Sequence, residues 1–140
     1  MPEATRPSGR IRVIVGTDPA AGAEILETVP AGVQWRLIAI HAALVTDATV
    51  INRVVALVLD DGANIFLFTG SSYIQVASQF IHYTFGAFSR QGDTLVGAIL
   101  CGYPEGIVIG PGFRFSTVMV NLQAGDDWGP PIYMVEEWPA

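Results

Sequence analysis

The sequence predicts an all-β chain: an antiparallel β-sandwich or jelly roll over residues 10–140, behind a short N-terminal arm at 1–9. Three observations carry this. Strand-length runs rich in Val, Ile, Phe and Tyr recur along the 140 residues. Clusters of Gly, Pro, Asp and Asn separate them. No segment sustains a 3.6-residue apolar period. A chain of this length forms one domain and buries a core without disulfides or metals.

In chain order, residues 1–9 combine Pro, Ser, Gly and charge and read as a flexible arm. RIRVIVG (10–16) is a first strand, closed by the turn-rich TDPAAGA. EILETV (24–29) is a short second strand leading into Pro30-Ala31-Gly32. VQWRLIAIHAALVT (33–46) and NRVVALVLDDGANIFLFTG (52–70) follow, and Asp61-Gly62 between two apolar runs signals a hairpin of adjacent antiparallel strands. SSYIQVASQFIHYTFGAF (71–88) has helix-compatible spacing at its start but Tyr, Ile, Phe and Thr in its second half, which favours a strand there. TLVGAILC, GIVI, FRFSTVMVNLQ and PIYMVEEW complete the set as short strands. VPAGVQWRL (29–37) and IGPGFRFST (109–117) echo one another, each placing a Gly before an alternating strand and matching Trp35 with Phe115. Such an element suits equivalent ends of two packed sheets.

Composition poses a problem of cover. The chain is 51% hydrophobic and only 14% charged, where a soluble domain carries roughly 25% charged residues. No run of about 18 uninterrupted apolar residues offers a bilayer span, because Arg36, His41, Asp47, Arg53 and Asp60 punctuate the most apolar region. No membrane is therefore expected, and other protein chains are the expected cover. In NRVVALVLD both sets of alternating residues are apolar, so Val55, Leu57 and Leu59, or their opposite face of Val54, Ala56 and Val58, are candidates for a subunit interface. Trp128 in a Gly-Pro loop and Trp138 near the C-terminus are candidate interface anchors. Trp35 reads as core.

A net charge of −6 removes the electrostatic basis for binding nucleic acid by its phosphates. All seven cations are Arg, and Arg6, Arg10 and Arg12 share the first fifteen residues with Glu3 as the only acid. That basic end is a candidate docking element for an acidic neighbour. MPEATRPSGR lacks the apolar core of a signal peptide, so the expectation is a protein made in the cytosol. Cys101, in LVGAILCGY, reads as a small core residue.

No catalytic signature appears, no cofactor is expected and no metal ligand is assigned. His41 and His82 lie in apolar runs without Cys, Asp or Glu at ligand spacing, and read as packed or interface histidines. The two-His motif of a metal-binding cupin is absent. Asp60-Asp61, Asp126-Asp127 and Glu136-Glu137 are adjacent pairs whose members face different ways in a strand or turn. A loop calcium needing only oxygen ligands is the weaker alternative at Asp126-Asp127.

Residues 28–138 resemble small virion proteins of tailed bacteriophages. The resemblance rests on the Pro30-Ala31-Gly32-Val33-Gln34-Trp35 entry to a long strand, the Asn52-Arg53 pair opening the next, and the Pro111-Gly112 turn before a late strand and an acidic C-terminus. It implies a non-enzymatic β-sandwich of the particle, a capsid decoration or cement protein. Such a protein trimerises on the head lattice, contacts the major capsid protein and is assembled in the host cytoplasm. The alternative is a carbohydrate- or receptor-binding sandwich of a head or tail fibre using Trp128, Tyr103 and Tyr133.

Overall fold

The computed structural model describes residues 8–87 and 97–140. Eleven strands are present among them: β1 (Arg10–Val15), β2 (Leu26–Thr28), β3 (Val33–Val45), β4 (Val54–Asp60), β5 (Ile65–Gly70), β6 (Phe80–Gly86), β7 (Ala98–Gly102), β8 (Val108–Ile109), β9 (Arg114–Val120), β10 (Asp127–Trp128) and β11 (Ile132–Pro139). No helix occurs among the described residues. The larger sheet runs β1-β11-β3-β6-β7, with β8 and β10 also paired to β3; the smaller runs β2-β9-β4-β5.

The pairings nest. β4 pairs with β5, β3 with β6, β2 with β9 and β1 with β11, so the chain behaves as one long hairpin. β11 against β3 and β9 against β4 then roll it into two sheets, which is jelly-roll winding. One pairing departs from the expected antiparallel pattern: β7 adds to the edge of β6 in parallel.

Local chemistry explains the turns. Asp61 is the acceptor for the Ala63 and Asn64 amides, and Asp60 Oδ1 for the Gly62 amide. These Asx contacts and Gly62 at φ +97° close the β4–β5 hairpin where the Asp-Gly pair predicts it. The echo also has a structural counterpart. Gly32 (φ +82°) enters β3 of the larger sheet and Gly112 (φ +81°) enters β9 of the smaller, each in the left-handed region open to glycine. Three residues on, Trp35 and Phe115 both turn inward and pack on Tyr133, at 5.6 and 4.9 Å between ring centres.

The core lies between the sheets and includes Trp35, Leu37, Ile40, Leu44, Tyr83, Phe85 and Val135 from the larger, and Val55, Leu57, Leu59, Phe115 and Met119 from the smaller. Cys101 is buried there as a free thiol, and burial pushes its pKa up, which suppresses the reactive thiolate.

Candidate functional site

Paired residues of neighbouring strands share a face, so register assigns each side chain to core or exterior. On the smaller sheet one outer row crosses Leu26, Ser116, Val58 and Phe68, and the rows beside it hold Val118 with Ala56 and Gly70, and Val120 with Val54. Phe68, Val118, Val120 and Leu26 are exposed, Phe68 by 62%. The row toward the hairpin carries Thr28, Arg114, Asp60 and Ile65, and there Arg114 Nε donates to Asp60 Oδ1 at 2.7 Å.

The larger sheet repeats the design. Its outer rows include Val15, Ile132, His41 and Thr84, and Val13, Met134, Ala39 and Gly86. Ile11, Val13, Val15, Val45, Phe80, Ile132 and Met134 are all exposed. At one end Arg36 donates to Glu136 Oε2 at 2.9 Å from Nε and 2.6 Å from Nη2. Neither sheet therefore has the polar outer face usual for an antiparallel sandwich. The apolar excess of the composition lies on these two opposite faces.

At the centre of the larger face His41 Nε2 and His82 Nδ1 stand 3.0 Å apart, with ring planes 21° from parallel. Phe80 meets His82 edge-on at 4.8 Å. Burial, and after it the proximity of His82, lowers the His41 pKa. The pairing is invisible in the sequence because the residues lie 41 positions apart and meet only through the β3–β6 register.

Several expected site residues are reassigned. Val55, Leu57 and Leu59 are at most 1% exposed and point into the core, so they are not a subunit interface. Apolar alternation shows that both faces of β4 are covered, but not which one meets the other sheet. Their opposite face belongs to the exterior of the smaller sheet, although Ala56 and Val58 are themselves screened by larger neighbours. Trp128 is 1% exposed and stacks edge-on against Tyr83 at 5.7 Å, because the Gly-Pro loop places it on β10 beside Leu44. Trp138 is 8% exposed and packs against Gly9. Neither indole is an exposed anchor. With Tyr103 and Tyr133 both 4% exposed, the three aromatics of the carbohydrate-binding reading are all buried.

The basic element also changes character. Arg6 lies outside the described residues. Arg10 and Arg12 belong to β1, opposite Glu137 and Val135, and Arg12 Nη1 donates to Glu137 Oε2 at 2.8 Å. The same oxygen accepts from Trp35 Nε1 at 2.8 Å. These contacts, the Trp35 hydrogen bond first, hold the Glu137 carboxyl below the usual range. Glu136 and Glu137 thus serve opposite faces of β11, as adjacent strand residues must.

The remaining acids are engaged internally. Asp126 accepts from Arg53 Nε and the amides of Gln123 and Asp47. Burial raises its pKa, but the Arg53 hydrogen bond and those amides outweigh it and hold the carboxyl down. This uses the oxygens that a loop calcium would have needed. Burial pushes the Glu24 carboxyl up, against the opposing influence of Thr117, the Met119 backbone and Trp128. Among the described residues no three of His, Cys, Asp or Glu converge on one point.

Compared with known proteins, the chain matches no family model and no curated sequence.

Proposed function

We propose that this protein is a non-enzymatic assembly protein of a virion, a capsid decoration or cement protein that associates with copies of itself and with the head shell of a tailed phage. The observation that carries the reading is the pair of apolar outer faces, each bearing an internally neutralised ion pair at one end. A monomer's largest apolar patch is about 300–600 Å² and is itself often functional. Two such faces back to back suit two neighbours. Because they lie on opposite sides of one sandwich, contact through one face leaves the other open, which suits a protein that self-associates and also docks. A homotrimer seated on the shell, in contact with the major capsid protein, is the arrangement this reading takes from the resemblance.

Such a protein stabilises a shell by mass action, since it binds only the assembled state. The docking contact then rests on apolar sheet surface, with Arg10 and Arg12 presented from the edge strand β1 and not from a free arm. Light scattering coupled to size exclusion at low micromolar concentration tests the reading. A stable homo-oligomer supports it, and a monomer that also leaves bare heads unbound overturns it.

A further inference from the structure

We propose that the outer face of the larger sheet closes on a second copy of this chain, and that the His41–His82 pair at its centre makes this contact release when protonated. The inference rests on the assembly reading above and specifies the face, its occupant and the condition.

Size favours this face. Its seven exposed apolar side chains offer on the order of 700 Å², against ~800 Å² per partner in a standard specific interface. The smaller sheet's outer face presents fewer large exposed side chains.

Charge selects the occupant. The chain carries −6, so two copies repel across most of their surfaces. On this face the charges of the described residues lie only at the ends, where Arg36 neutralises Glu136 and Asp127 stands beside Val45. The rows between hold no carboxylate, Arg or Lys. Two copies can therefore meet here without burying like charges.

The histidines supply the condition. His41, on β3, lies in register with Ile132 of β11 and Thr84 of β6; His82 lies in register with Ala43 of β3 and Ala98 of β7. None of these neighbours carries a charge to compensate an imidazolium. With both rings neutral, one N–H bridges the 3.0 Å gap between His41 Nε2 and His82 Nδ1. One added proton makes the pair cationic, and a second sets two N–H donors against each other. Covering the face removes the water that would solvate that charge, adding to the burial that already lowers the His41 pKa. The closed form then binds fewer protons than the open one, so association weakens as pH falls below the ordinary histidine value of about 6.5. Each unit by which closure lowers the proton affinity of one pair weakens association about tenfold, and therefore about a hundredfold for the two pairs of a face-to-face dimer, at pH well below the closed form's lowered pKa.

Sedimentation velocity between pH 5 and 8 tests this on the full chain, alongside His41→Gln/His82→Gln, Val13→Asp on this face and Phe68→Asp on the opposite face. The expected result is an oligomer at pH 8 that dissociates toward pH 5. The double-Gln variant should stay associated at both pH values, Val13→Asp should be monomeric throughout, and Phe68→Asp should follow the parent chain. Association with the same pH dependence in the double-Gln variant overturns the histidine role. Loss of association in Phe68→Asp but not Val13→Asp overturns the choice of face. A monomer at every pH overturns the inference entirely, while binding of that monomer to bare heads would show that the assembly reading stands without it.

Discussion

Arg53 Nε donates to Asp126 Oδ2 at 2.9 Å, and both side chains are wholly withdrawn from solvent. The same guanidinium reaches Asp47 Oδ1 at 2.7 Å and the carbonyls of Thr49 and Ile51. Its backbone exchanges both hydrogen bonds with Gln75. One residue, by side chain and backbone together, thus ties together three loops that enter or leave both sheets. Removing one partner strands a buried charge, so Arg53→Met and Asp126→Asn should each lower unfolding free energy by about 3–5 kcal/mol. Urea denaturation measures this, and losses below about 1 kcal/mol would show that the network does not hold the loops.

Leu57 faces the core and is 1% exposed. Leu57→Ala should therefore cost about 2–5 kcal/mol in stability and leave the self-association of the folded protein unchanged. Thermal unfolding and solution mass on the same sample separate these effects. Loss of association at full stability would return β4's inner face to the interface.

Glu137 gives the fold an acid limit. Its pKa is depressed in the folded chain, so its contribution is complete above the unfolded value near 4.5 and is lost as pH falls through the lower folded value. Glu137→Gln should melt below the parent chain at pH 7 and converge with it toward pH 3. A constant gap across that range would contradict the Trp35–Arg12 assignment.

Gly112 sits at φ +81° with nothing within 4 Å of where a Cβ would stand. The cost of Gly112→Ala is then conformational alone, about 1–2 kcal/mol. Gly32→Ala should behave alike, since its surroundings are equally open. A null effect on denaturation midpoint in either variant would place that turn in another conformation.

Legibility from sequence followed the range of the interactions. The Asp61-Gly62 hairpin and the Gly32/Gly112 echo were readable because turn chemistry is local. Arg53 read as a charge punctuating an apolar run, because its Asp126 partner lies 73 positions away. Trp128 read as exposed because Gly and Pro surround it, yet β10 pairs with β3 and carries it inward. The apolar excess was visible in composition, whereas its placement on the two outer faces required the register of both sheets.

Binding to bare phage heads tests the central claim most directly. The chain and its Phe68→Asp variant would be titrated onto heads and the bound amount read by co-sedimentation. Saturable binding by the parent chain that Phe68→Asp abolishes, with an unchanged melting temperature, is the predicted result. No binding by the parent chain, or equal binding by the charged variant, would contradict the claim that the smaller sheet's apolar face meets the shell.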